Sequence, residues 1–115
     1  MERNISEMPV KWVILKIGGD TPHYRVFGGW LGGYLSGDRW KVNSGISKVE
    51  SDEEFYYFYG FSGSCYRCRK NSYAIKEGES SFGSYVGGIL DNMINNSGGK
   101  IEIVEYRDDF MNLIK

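Results

Sequence analysis

Alternating apolar and polar residues predict that most of this chain forms β-strands joined by short turns. Residues 10–17 carry apolar side chains on both faces, a pattern typical of a central strand that is covered above and below. Further strands are predicted at 23–27, 39–43, 46–49, 54–61, 65–69 and 100–106. The short connections between them favour an antiparallel meander.

One segment has the period of an α-helix instead. Its apolar residues recur at spacings of three and one, which places them on a single stripe. They are Phe82, Tyr85, Val86, Ile89, Leu90, Met93 and Ile94. Ser80 or Ser81 is expected to cap the first turn, and Gly98 or Gly99 to end the helix. The sequence therefore predicts an amphipathic helix over about 81–97.

Together these elements predict an α+β fold with one domain over residues 10–115. We expect a strongly bent antiparallel sheet of about 5–7 strands, with the helix packed on its concave face and a closing C-terminal strand. Residues 1–9 are expected to form a flexible leader, whereas the apolar tail at 107–115 is expected to fold back. A chain of 115 residues can bury a core of this kind without a metal or a disulfide.

Aromatic residues make up 16% of the chain and are concentrated in a predicted hairpin at 54–70. On its first strand the odd-numbered rings from Phe55 to Phe61 share one face, and Tyr56 and Phe58 share the other. We expect these rings to exceed what a small interior can hide, so that some remain exposed. The alternative is burial of both faces, one beneath the helix and the other beneath residues 28–37 or the C-terminal tail.

The predicted contact surface combines aromatic and basic side chains, the types that dominate binding hot spots. Its members on the hairpin are Tyr56, Phe58, Tyr66, Arg67, Arg69 and Lys70. Trp30 and Tyr34, large rings flanked by glycine pairs, form a second predicted patch. We interpret their segment, 28–37, as a bulged continuation of a strand. It is a poor match to a phosphate-binding loop, because a strand rather than a helix is predicted to follow it.

The candidate chemistry in the sequence is sparse. Cys65 and Cys68 have the spacing of a metal or redox pair, but a zinc site needs four ligands and His23 is the only histidine. A strand would place these thiols on opposite faces, so we interpret one as buried and the other as incidental. The carboxylates at 50–54 and 108–109 lie at element ends, where solvated surface is the ordinary explanation. We expect no metal, no cofactor and no enzymatic activity.

The net charge of −1, from 14 basic and 15 acidic residues, gives no global field that would attract nucleic acid. The chain shows neither a signal-peptide pattern nor an apolar run of membrane-spanning length, so we expect a cytoplasmic protein without a membrane partner. A protein partner is favoured. The alternatives are single-stranded nucleic acid on the same surface and a small molecule, bound or converted beneath the glycine-rich loop. Self-assembly through a sheet edge or the aromatic face is compatible with each.

Two segments, WKVNSGISKVE at 40–50 and YFYGFSGSCYRC at 57–68, resemble small uncharacterised accessory proteins of tailed bacteriophages. The shared features are turn and aromatic residues, and they include no active site. The resemblance implies a short protein that acts in the cytoplasm of an infected cell, where such proteins often bind and block a host or anti-phage defence protein. We therefore expect a non-enzymatic inhibitor that acts by occlusion.

Overall fold

The segment predicted as a central strand lies inside a four-stranded antiparallel sheet. The computed structural model describes residues 3–31 and 37–113. The strands are β1 (Lys11–Ile17), β2 (His23–Leu31), β3 (Asp38–Val42), β4 (Ile46–Ser51), β5 (Phe55–Gly60), β6 (Cys65–Arg69), β7 (Ile75–Lys76), β8 (Glu79–Ser80) and β9 (Ile101–Val104). The larger sheet has the order β3-β2-β1-β9, so β1 has a neighbour on each side, as predicted.

The remaining strands form two further antiparallel sheets. β4, β5 and β6 make a three-stranded sheet in sequence order, and β7 pairs with β8. The described residues also contain one α-helix, α1 (Ser84–Asn95), and two 3₁₀ turns, Lys70–Ser72 and Phe110–Asn112. The α+β class with antiparallel pairing is confirmed. The strand count is higher than the predicted 5–7, and the strands divide among three sheets rather than one bent sheet.

The four-stranded sheet separates two apolar layers. On one face, the ring of Phe27 meets that of Phe82, just before α1, at 5.4 Å between centroids. Gly29 permits this approach, because a Cβ atom there would lie 2.9 Å from the Phe82 ring. On the opposite face, Trp12 contacts Phe58 of the three-stranded sheet at 5.4 Å. Helix, large sheet and small sheet therefore stack as three layers.

The amphipathic helix is confirmed, and it begins three residues later than predicted. Its N-cap is Gly83, which makes no side-chain cap. The expectation that Ser80 or Ser81 caps the helix is wrong, because the Ser81 hydroxyl donates to the Ala74 carbonyl at 3.0 Å. Among the residues that the structure describes, no helix combines the length and apolarity needed to cross a membrane.

The N-terminal segment is attached to the edge of the three-stranded sheet. The backbone N–H groups of Ser6 and Glu7 donate to the Cys65 carbonyl at 2.9 and 3.3 Å, and the Arg67 N–H donates to the Glu7 carbonyl at 3.0 Å. Glu7 and Tyr66 thus form an isolated parallel bridge. Ser6 and Glu7, which belong to the leader predicted over 1–9, are therefore held by backbone hydrogen bonds that partly cover the β6 edge.

The C-terminal tail folds back through Phe110. Its fully buried ring contacts that of Tyr56 at 5.3 Å and that of Trp12 at 5.7 Å, where it fills the space between the two larger sheets. The next residue, Met111, is 44% exposed. Substitution of the exposed Met111 therefore serves as the control for substitution of the buried Phe110.

We predict that Phe110→Ala lowers the free energy of unfolding by about 3–5 kcal/mol, because it leaves a cavity among packed rings. Met111→Ala should change it by less than about 0.5 kcal/mol. Urea denaturation followed by tryptophan fluorescence measures both. Equal effects of the two substitutions would show that the tail does not dock as described.

Candidate functional site

The aromatic row predicted to be exposed lies in the core. Tyr56, Phe58 and Tyr66 are 1%, 0% and 2% exposed, so the prediction that they form a free contact surface is wrong. The first two rings face Trp12 and Phe110 between the sheets. The alternative of burial on both faces holds only in part: β1 and the C-terminal tail, rather than the helix, cover this row, and in the other row Phe55 and Tyr57 are buried whereas Phe61 is 68% exposed.

The other row of the same strand points away from this core. Phe55 and Tyr57 form a separate buried cluster with Cys65, and Tyr59 packs against it. No further sheet or helix is needed to hide them, because cationic side chains lie across the rings. The guanidinium carbon of Arg67 lies 3.9 Å from the centroid of Phe55.

Three more cations continue this cover along the row. Arg69 lies 4.7 Å from the centroid of Phe55, Arg3 lies 3.9 Å from that of Tyr57, and the Lys48 ammonium lies 4.6 Å from that of Tyr59. A cation over a ring is attracted by the negative face of the π-system, while its aliphatic stem covers apolar surface. We call this set the basic–aromatic face: Phe55, Tyr57, Tyr59, Arg3, Lys48, Arg67 and Arg69.

Strand pairing explains why these groups meet. In the β5–β6 register Phe55 lies opposite Arg69, and Tyr57 lies opposite Arg67. Residues that are directly opposite in an antiparallel pair share a face and have neighbouring side chains. Arg3 reaches the same face because the N-terminal segment runs along the β6 edge.

Carboxylates hold the edges of the face in place. Glu50 accepts a hydrogen bond from the Tyr59 hydroxyl at 2.8 Å and pairs with Arg3 at 3.3 Å. Asp52 accepts one from the Tyr57 hydroxyl at 2.7 Å, and a second oxygen accepts the Phe55 N–H at 2.9 Å. The tyrosine hydrogen bonds are the main reason that the pKa values of Glu50 and Asp52 lie below their ordinary range.

Arg67 differs from the other three cations of the face. Arg3, Lys48 and Arg69 each pair with a glutamate, whereas Arg67 makes no ion pair among residues 3–31 and 37–113. Its Nε atom is buried and has no hydrogen-bond partner in the same described residues. A hollow of about 390 Å³, lined by residues 52–55 and Arg67, opens beside it. Arg67 is thus a partly exposed cation that forms no ion pair within the described residues, although Asp52, Glu53 and Glu54 line the same hollow.

The remaining predicted site residues lie apart from this face or in the frame that supports it. Lys70 donates to the Asp52 carbonyl at 2.5 Å and lies 4.9 Å from the Tyr56 ring. Trp30 is covered by the Arg39 guanidinium at 4.4 Å, and its indole N–H donates to the Met8 carbonyl at 3.1 Å. Tyr34 lies outside the described residues.

The glycine-rich segment continues β2 as far as Leu31, but residues 28–31 pair with their neighbouring strands in regular register, so the predicted bulge is absent there. Space over its first two glycines is occupied. A Cβ atom on Gly28 would lie 2.8 Å from Pro9, and one on Gly29 would meet Phe82. A small-molecule site directly over these two glycines is therefore blocked by protein atoms, and residues 32–36 lie outside the described structure.

The two cysteines lie on opposite faces of β6, as expected, but both are buried. Cys68 belongs to the main core and Cys65 to the cluster beneath the basic–aromatic face. Burial raises the pKa of both thiols, which is the reverse of what a redox pair needs. Within the described part of the chain, no three His, Cys, Asp or Glu side chains group closely enough to hold a metal ion.

We predict that Tyr57→Phe raises the pKa of Asp52 towards its ordinary value, because the principal hydrogen bond to the carboxylate is lost. A carboxyl group whose pKa is lower in the folded state than in the unfolded state stabilises the fold above roughly pH 4. This stabilisation is lost as the pH falls through the folded-state pKa. The stability difference between wild type and Tyr57→Phe should therefore shrink on acidification. Carboxyl ¹³C titration by NMR measures the pKa.

The exposed Tyr85 supplies the control for this titration. Tyr85→Phe should leave the Asp52 pKa unchanged. An unchanged Asp52 pKa in Tyr57→Phe as well would contradict the hydrogen-bonded arrangement of the face.

Comparisons of the chain with protein-family models, with curated proteins and with solved structures give no match. The site is therefore interpreted from its geometry: four cations lie over three rings, and one of them, Arg67, forms no ion pair among the described residues.

Proposed function

We propose that this protein is a non-enzymatic binding protein whose contact surface is the basic–aromatic face. The main support for this proposal is the environment of Arg67. Its guanidinium stacks on Phe55, it is partly exposed, and it pairs with no acidic group among the described residues. A carboxylate supplied by another protein would complete this arrangement.

The physical properties of the face favour a protein partner. A guanidinium is planar and can bind a carboxylate through two parallel hydrogen bonds, so it recognises an acidic side chain with defined geometry. Stacking on Phe55 fixes the Arg67 side chain before binding, which reduces the conformational entropy lost on association. Arginine and tyrosine are also the residue types most enriched among binding hot spots.

The mode of action follows from the rigidity of the surface. The three-stranded sheet is anchored to the core by its inner aromatic row, so the face can cover a partner's surface without rearranging. With the sequence resemblance to phage accessory proteins, we extend the proposal to inhibition by occlusion, in which the partner is a host or defence protein with an acidic patch. Cytoplasmic action belongs to the same proposal.

Single-stranded nucleic acid is the less favoured ligand. Bases bind such sheets by stacking on open ring faces, but the cations of the chain itself already occupy the faces of Phe55 and Tyr57. A gel-shift titration with single-stranded DNA and RNA at low salt separates the two functions. Micromolar affinity that falls steeply with added salt would support the nucleic-acid function instead.

We predict that Arg67→Glu with Arg69→Glu abolishes partner binding while the fold is kept, because two cations facing an acidic patch become repulsive. The tagged wild type and double variant would be used to capture partners from nuclease-treated lysate of the producing cell, with quantitative mass spectrometry. Affinity for the purified partner would then be measured by calorimetry. Replacing Arg67 alone with Gln should weaken it by roughly thirtyfold, as expected for a hot-spot arginine.

The matched control is Lys76→Glu with Lys100→Glu, which makes the same change of charge at exposed positions outside the three-stranded sheet. This variant should bind as the wild type does. A partner that binds the Arg67 and Arg69 variants with unchanged affinity would remove the basic–aromatic face as the contact surface. Circular dichroism establishes that each variant is folded.

A further inference from the structure

A polar cleft lies away from the basic–aromatic face, where β3, the turn between β5 and β6, and the N-terminal segment meet. Its volume is about 410 Å³, within the range of small-molecule sites. Asn43, which directly follows β3, and the three serines Ser44, Ser62 and Ser64 are among the residues that line it.

Asn43 presents a buried hydrogen-bond donor that no group of the protein satisfies. The residue is 3% exposed. Its Oδ1 atom accepts the N–H groups of Val26 at 2.9 Å and Gly45 at 3.3 Å, which fixes the orientation of the amide. The Nδ2 atom has no partner in the described residues. Buried polar groups are nearly always paired, so an oriented donor without a partner marks a place for an acceptor.

The other groups around the cleft are also suited to an acceptor. The Tyr66 hydroxyl lines it, and burial raises the pKa of Tyr66 to about 12, so the hydroxyl stays protonated at neutral pH. The Ser44 hydroxyl donates to Ser62 Oγ at 3.0 Å and accepts the Ser62 N–H at 3.0 Å. The hydroxyls of Ser62, Ser64 and Tyr66 donate to no other group of the described residues, so the lining offers three O–H donors.

The charged residues of the lining are mostly cationic. Arg25 and Lys41 both border the cleft, and Glu7 contributes the opposing charge, 3.2 Å from the Lys41 ammonium. The Arg25 guanidinium donates to His23 Nε2 at 3.1 Å and to the Asn43 carbonyl at 3.4 Å, which places it next to the orphan amide. Two cations against one carboxylate leave an excess positive charge.

We propose that this cleft is a binding site for the oxyanion group of a small molecule, either a carboxylate or a phosphate. The oxygen atoms of the ligand would accept hydrogen bonds from Asn43 Nδ2 and the Tyr66 hydroxyl, and its charge would be balanced by Arg25 and Lys41. This site is separate from the basic–aromatic face. Its test is therefore independent of the proposed binding function.

The test uses the full ¹⁵N-labelled chain and titrates sodium phosphate and sodium acetate separately up to 50 mM, at constant ionic strength adjusted with sodium chloride. The NMR signals of the Asn43 side-chain amide report binding. We expect a saturable shift with at least one anion, and the anion that gives it identifies the oxyanion class. Shifts that are absent, or linear and identical to those with chloride, would overturn the proposal.

Two variants locate the binding in this cleft. Tyr66→Phe removes only a hydroxyl that makes no hydrogen bond among the described residues, and Asn43→Asp replaces the orphan donor with an acceptor while it keeps Oδ1. Each should raise the dissociation constant by roughly tenfold or more, the effect of one charge-assisted hydrogen bond. Backbone amide signals follow binding in Asn43→Asp.

Tyr85→Phe, at an exposed position on α1, is the control and should bind as the wild type does. If Asn43→Asp fails to fold, the result with Tyr66→Phe decides. Unchanged affinity in Tyr66→Phe would place any anion elsewhere on the protein and overturn the assignment.

Discussion

The fold depends on the packing of Trp12, a fully buried side chain that joins the two larger sheets. It lies in β1 and contacts the rings of Phe58 and Phe110, while its indole N–H donates to the Arg69 carbonyl at 2.7 Å. A buried indole N–H needs an acceptor, so this bond fixes the end of β6 relative to β1. This bond also helps to position Arg67 and Arg69 of β6 on the outer face, so the geometry of the candidate surface depends on the packing of the core.

The aromatic hairpin stabilises its two rows in different ways. The inner row, with Tyr56 and Phe58, is buried against another sheet, which is the ordinary solution in a layered protein. The outer row has no such layer and is covered by cationic side chains. This cover is thinner and carries charge, so the same arrangement that hides the rings from water creates a surface suited to acidic groups.

Much of the fold could be predicted because local periodicity reflects it. The two-sided apolar pattern of β1 and the helical stripe of α1 each identified their elements correctly. The division into separate sheets could not be predicted, because strand pairing over long sequence distances is not encoded in a local pattern. The start of α1 was also misjudged, since Ser81 bonds to Ala74 through a contact visible only in three dimensions.

The candidate site was also predicted only in part, although the register of the hairpin indicated which face carries its basic residues. With the turn placed at 61–63, antiparallel pairing puts Arg67 opposite Tyr57 and Arg69 opposite Phe55, so the basic residues could have been assigned to the odd-numbered row. The error was to combine them with Tyr56 and Phe58, which lie on the other face. Lys48 had a similar signal, because β4 and β5 are consecutive antiparallel strands and Lys48 lies opposite Tyr59. Arg3 had none, because the N-terminal segment is brought to the hairpin by tertiary structure alone.

The location of the two cysteines has a consequence for how the molecule opens. Cys68 lies in the main core and Cys65 beneath the outer rings, so each thiol becomes reactive only when its own layer separates. The rates at which a thiol reagent labels the two sites therefore distinguish local loss of the cationic cover from global unfolding. The two cysteines therefore report, without any added probe, whether the layers of the protein open together or separately.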